Sequence, residues 1–142
     1  MKNFIRVLAI VLLYLVGISA IIGGWGLISD PSGNAVDLPL TLLQHTPFTN
    51  FFYPGLILIL AIGLGSLMVG SLAILKAKYY DVLIVAEGFI LLGWIIIQVA
   101  LIDVIYWLHF IYGGMGILLI VAGILLYEWQ HHEKTPRKHQ FA

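Results

Sequence analysis

The chain has 142 residues, 61% hydrophobic and 10% charged, with seven basic and seven acidic side chains that balance to zero net charge. A mean hydropathy of +1.04 excludes an ordinary soluble domain, and the absence of cysteine excludes disulfides, thiolate catalysis and cysteine-type zinc sites. The basic residues flank apolar runs instead of clustering on a polar surface, which argues against nucleic acid as a partner.

Lys2 and Arg6 open the chain, and the apolar run 7–28 follows them. At about 22 residues and about 33 Å as a helix, it exceeds the apolar region of a signal peptide, so it reads as a retained transmembrane helix. Three further runs, 55–75, 82–100 and 105–126, each approach the roughly 20 residues that a hydrocarbon core needs. None alternates with a period of two, so a β-barrel is not expected. The fold class is therefore all-α: a four-helix transmembrane bundle forming a single membrane domain over 1–142.

Lys76 and Lys78 lie between the second and third runs, and Lys134, Arg137 and Lys138 follow the fourth. With Lys2 and Arg6, all seven basic residues then fall on one side, which predicts cytoplasmic N- and C-termini in a bacterial inner membrane. Trp25, Phe51, Phe52, Tyr53, Tyr106 and Trp107 are placed at the outer interface, and Tyr79, Tyr80, Tyr127 and Trp129 at the inner one.

The outer loop 29–54 is the only long connection. Asp30, Pro31, Ser32 and Gly33 fit a type I turn, with proline fixing φ at the second position. Asp37-Leu38-Pro39 is expected to open a short amphipathic helix whose Leu38, Leu42 and Leu43, with Phe48, lie on the membrane or cap the bundle. Pro47 ends it, Thr49 or Asn50 caps the second span, and Pro54 is tolerated in that span's first turn. The tail 130–142, with His131, His132 and His139, reads as a polar, solvated, basic segment.

Lipid is as apolar as leucine, so close backbone approach must hold the helices together. Gly17, Ala20 and Gly24 share one face of the first span, Gly63, Ser66 and Gly70 one of the second, and Gly113, Gly116 and Gly123 one of the fourth. Polar residues inside spans are costly and therefore informative. Helical periodicity returns Glu87, Trp94 and Gln98 to one stripe of the third span. Glu87 is expected to be protonated and to donate a hydrogen bond, with Ser71 or Tyr14 as partner, or else to be approached by Lys76 or Arg6. Gln98 and His109 are level across the last hairpin and are expected to hydrogen-bond. The alternative is a small polar site under the outer loop, with Asp103, which also fits as N-cap of the fourth span, and His45 near its mouth. Glu87, Trp94, Gln98, His109 and Asp103 are thus the candidate ligand-binding residues. No catalytic constellation and no cofactor are expected, and one buried histidine is not a metal ligand set.

The loop motif Asp30-Pro31-Ser32-Gly33, Leu38-Pro39, Leu42-Leu43, Pro47-Phe48 and Pro54-Gly55 resembles that of a group of small bacterial four-span membrane proteins. Gly93-Trp94-Ile95 with Gln98, and Leu108 to Tyr112, carry the same resemblance, which spans about Gly23 to Gly123. The resemblance implies the four-span topology and supplies no activity, substrate or cofactor. In that group glutamine often stands where His109 stands here, which weighs against an obligatory histidine chemistry.

Together these features favour a non-enzymatic membrane protein, either a module binding a small ligand or lipid or an accessory subunit of a membrane complex. Its expected partners are membrane lipids and either a second membrane protein or further copies of itself. Two rivals stand beside it. One is an intramembrane lipid-modifying enzyme using Glu87 with Trp94, Gln98 and His109; the other is an oligomeric transporter or channel.

Overall fold

The computed structural model describes residues 1–102 and 105–134. Among these residues, four helices are long and apolar enough to cross a membrane: α1 (Lys2–Ser29), α2 (Phe52–Ile74), α3 (Tyr80–Ile102) and α4 (Trp107–Lys134). No strand occurs among the described residues. Each helix packs against its sequence neighbours, and α4 closes the ring against α1.

The bundle is apolar outside as well as inside: Leu13, Ile62, Ile84, Leu91, Leu119 and Leu126 are fully buried in its core. Phe4, Val7, Val11, Leu15, Ile18, Ile22 and Trp25 are all exposed along one face of α1, at the three- and four-residue spacing of a helical stripe. Ser66, Asp81 and Glu87 are buried. Water would penalise that outer face at about 25 cal/mol per Å², whereas hydrocarbon does not. The chain thus has the architecture of a multi-pass helical membrane protein.

Glycines set the closest helix contacts. On α1, a Cβ at Gly24 would stand 2.7 Å from the Gly55 carbonyl oxygen of α2, and one at Gly55 would stand 2.9 Å from that of Gly24. Gly88 of α3 and Gly116 of α4 form a similar reciprocal pair, at 2.9 and 3.2 Å. Gly55 and Gly88 are therefore as important as the small-residue faces expected from spacing, whereas Gly113 meets only Ile95, at 4.0 Å.

Three features depart from a straight reading of the hydropathy. First, α1 begins at Lys2 and α4 continues to Lys134, past the polar boundary expected near 130. Lys2 Nζ and Glu133 form an ion pair at 2.9 Å that joins the two protruding ends. Second, the turns of α2 over Leu58–Leu64 widen into a π-helix, a local form often found where a helix borders a functional site. Third, where an amphipathic helix opening at Asp37-Leu38-Pro39 was expected, the α1–α2 loop holds one short 3₁₀ turn, Leu40–Leu43, preceded by another at Asn34–Val36. Asp37 in the left-handed region (φ 57) ends the first, and Pro39, extended with ψ 143, opens the second, so no continuous helix forms.

The loop is nevertheless built on the bundle. Asp30 Oδ1 accepts the backbone N–H and the hydroxyl of Ser32, and Oδ2 accepts the Ala35 N–H at 3.1 Å. The Ser32 hydroxyl holds the Asp30 carboxyl below the usual aspartate range, assisted by the backbone donors and opposed only by slight burial. Gly33 donates to the Asp30 carbonyl at 3.0 Å with φ 83; a Cβ there would meet the Leu38 carbonyl oxygen and the Phe51 ring. Pro31 offers its carbonyl to the Phe51 N–H at 2.9 Å. Leu27, Leu43 and Phe51 form a small core with Phe48 packed against it, just beyond Pro47. Asn50 Oδ1 accepts the Phe52 N–H at 3.0 Å as α2 begins, and Pro54 lies in its first turn.

Candidate functional site

Beneath the loop that joins α1 to α2 the four helices do not close completely. A partly open cavity of about 350 Å³ lies between them, within the usual size range of small-molecule sites of roughly 300–1,000 Å³. All four spans contribute to its wall: Ser19 and Gly23 from α1, Leu58 and Ile62 from the π-helical part of α2, Trp94 and Gln98 from α3, and His109 and Tyr112 from α4. Val36, Leu38 and Leu42 of the loop form its lid. The wall is mainly aliphatic, with a few polar groups.

The polar groups differ in what they have left to offer. Tyr112 Oη donates to Ser19 Oγ at 2.8 Å, and Ser19 Oγ in turn donates to the Val16 carbonyl at 3.0 Å, so this pair ties α4 to α1. His109 Nδ1 accepts the Tyr106 N–H at 3.0 Å, which places the proton of the neutral ring on Nε2. Its ring lies 5.8 Å from that of Tyr106. The histidine therefore reaches back over its own helix start, in the manner of a capping box, and satisfies a backbone donor that α4 leaves free.

Trp94 is different. Its Nε1 is buried and has no hydrogen-bond partner, the one such side-chain nitrogen or oxygen among the described residues. A buried unpaired N–H costs about 1–3 kcal/mol. Gln98, in the same wall and only half-buried, also makes no hydrogen bond among the described residues, so its amide is open to a ligand.

The residues singled out by sequence are brought together only in part. Trp94, Gln98 and His109 share the cavity wall. No hydrogen bond joins Gln98 to His109, because the imidazole turns toward Tyr106 instead. Asp103 lies outside the described residues. His45 is exposed and is not part of the wall. Glu87 shares the helical stripe of Trp94 but faces α2 about two turns away, outside the cavity. It is 3% exposed, and its Oε1 accepts the Ser66 hydroxyl at 2.9 Å. Gly65 makes room for the carboxyl: a Cβ there would lie 3.0 Å from Oε2.

The partners expected for Glu87 are engaged elsewhere. Tyr14 Oη and Ser71 Oγ bond each other at 2.7 Å, and Arg6 Nη1 donates to the Ala73 carbonyl at 3.2 Å. Spacing marks Ser66 only as a small packing residue, and nothing in the sequence sets its hydroxyl apart. Tyr112, Ser19 and the loop leucines were not recognised as one wall, since only the folded ring of helices brings them together. No three His, Asp or Glu side chains converge among the described residues.

Comparisons with models of known protein families, with characterised proteins and with solved structures find no match for this chain.

Proposed function

We propose that this chain is a non-enzymatic, multi-pass protein of the bacterial inner membrane that holds a small, mainly apolar ligand or lipid beneath its outer loop. The observation that carries this reading is the largely aliphatic cavity walled by all four spans, with the half-buried Gln98 amide, which makes no hydrogen bond among the described residues, in its wall. An amphipathic molecule with one polar group, such as a carbonyl or hydroxyl oxygen, would pair with that amide while its apolar body fills the space. Lys2, Arg6, Lys76 and Lys78 at the end of the bundle opposite the loop support cytoplasmic termini, so the cavity belongs to the outer half of the membrane. The bacterial assignment rests on the resemblance of the loop and third-span motifs to small bacterial four-span proteins.

A non-catalytic role is supported by the separation of Glu87 from Gln98 and His109, with the carboxyl spent on Ser66 and the imidazole on Tyr106. The direct experiment is native mass spectrometry of the protein extracted with a mild detergent, followed by identification of the released small molecules. Retention of one defined amphipathic species is expected. Protein that emerges empty, and stays empty after incubation with a total lipid extract, would refute the reading.

A further inference from the structure

The opposite end of the bundle holds a second cavity, of about 270 Å³. Its cations come from separate segments of the chain: Lys2 and Arg6 from the first turns of α1, and Lys76 from the α2–α3 connection. Glu133 is its only carboxylate, and Tyr80 and Gln130 contribute further polar groups.

The three cations are used unequally. Lys2 is paired with Glu133 at 2.9 Å. Arg6 is anchored by one donor to the Ala73 carbonyl at 3.2 Å, which holds its guanidinium at the rim. Lys76 is exposed, and its ammonium has no hydrogen bond or ion pair among the described residues.

The backbone at Lys76 is the second observation. The Lys76 N–H bonds to the Ala73 carbonyl at 3.2 Å and the Ala77 N–H to the Leu72 carbonyl at 3.0 Å. That two-bond helix stop requires a left-handed residue at its turning point, where glycine is favoured. Here it is Lys76, at φ 52. The turn thus carries a lysine at a position where its backbone is disfavoured and where its side chain lines the cavity. Lys78 nearby carries the same charge, but its Nζ lies 5.0 Å over the Tyr79 ring and does not line the cavity.

We propose that this cavity binds a phosphate group at the membrane surface, with Arg6 as the anchored arm and Lys76 as the free one. Three cations against one carboxylate suit an anion. The guanidinium can present its remaining N–H groups to two phosphate oxygens, while the ammonium adds a mobile point charge. Both an anionic phospholipid headgroup and free inorganic phosphate have this chemistry. The site is independent of the cavity beneath the outer loop.

The test uses the full chain in nanodiscs of phosphatidylcholine, with and without phosphatidylglycerol, comparing the wild type with Lys76→Gly. Glycine relieves the left-handed turn, so this variant is expected to be at least as heat-stable as the wild type, and lost binding cannot be ascribed to unfolding. Native mass spectrometry should show about fivefold weaker retention of phosphatidylglycerol by Lys76→Gly, the worth of one cation at an anionic surface. Glu133→Gln should strengthen retention. Inorganic phosphate added to phosphatidylcholine nanodiscs distinguishes the sources: protection from heat that Lys76→Gly loses identifies soluble phosphate, and no protection alongside selective lipid retention identifies the headgroup. Equal phosphatidylglycerol retention by both proteins, with no phosphate effect that depends on Lys76, overturns the proposal.

Discussion

Ser66 donates to Glu87 across the α2–α3 interface at 2.9 Å, and Gly65 beside it leaves the space that the carboxyl fills. This makes Glu87 part of the glue between two helices. Ser66→Ala should destabilise the protein by about 1–3 kcal/mol, because it leaves a buried acceptor unpaired. Glu87→Gln keeps an acceptor oxygen in place and should change stability by less than about 1.5 kcal/mol. Unfolding by sodium dodecyl sulfate in mixed micelles reads both. A neutral Ser66→Ala beside a severe Glu87→Gln would show that the carboxyl has another task.

The α1–α2 contact depends on the absence of a side chain at Gly24. A Cβ there would meet Ile59 Cγ1 at 2.5 Å and the Gly55 carbonyl oxygen at 2.7 Å, and the backbone carbonyl cannot rotate away. Gly24→Ala should therefore cost about 1–3 kcal/mol through overpacking. Gly93→Ala is the control, because a Cβ at Gly93 meets nothing within 4 Å. It should be neutral, or stabilising by up to about 1 kcal/mol through helix propensity. Equal effects at the two positions would contradict the packing account.

His109 serves the start of α4. His109→Ala frees the Tyr106 N–H and should cost about 0.5–2 kcal/mol, as loss of a cap does. Faster amide hydrogen exchange confined to the first turn of α4 is its signature. His109→Gln, whose side chain has the reach of a capping-box residue, should restore protection. Unchanged exchange in the alanine variant would remove the capping role.

Acid should loosen the outer loop before it affects the helices. The Asp30 carboxyl is held below its ordinary value by the Ser32 hydroxyl, so the folded loop prefers the charged form. The resulting stability is complete above the ordinary aspartate value and is lost as pH falls through the lowered folded one. Proteolysis of the loop across that acidic window, compared with Asp30→Asn near neutrality, measures the effect. The variant should be cut faster than the wild type near neutrality and lose most of its pH response. A loop whose cleavage has the same acid profile with and without the carboxylate would disprove the assignment.

Hydropathy made the four spans legible, because a run of about 20 apolar residues has few other uses. The contact between Glu87 and Ser66 was not legible. Periodicity places Glu87 and Trp94 on one stripe, yet that stripe meets α2 at one level and the cavity at the other. Which neighbour a stripe meets is set by helix crossing, not by sequence spacing. The pairing of Gln98 with His109 failed for a different reason. Depth matching brought both to the right level, but α4 begins at Trp107, two residues beyond the expected start. That shift turns His109 into the residue that reaches the helix cap. In the loop, the β-turn around Gly33 followed from its residue types, whereas the left-handed backbone of Asp37 had no local signal to announce it.

The central claim is that the cavity beneath the α1–α2 loop takes an amphipathic ligand whose polar group meets the Gln98 amide. Gln98→Leu preserves much of the side chain's bulk and removes the amide, so it should not destabilise the empty protein, while weakening retention of that molecule by about 2- to 12-fold, the worth of one hydrogen bond of about 0.5–1.5 kcal/mol. The indole ¹⁵N–¹H resonance of Trp94, which shares the wall with Gln98, should shift when the ligand recovered from extraction is added back. An indole resonance that does not move on saturation, together with equal retention by Gln98→Leu, would contradict the account.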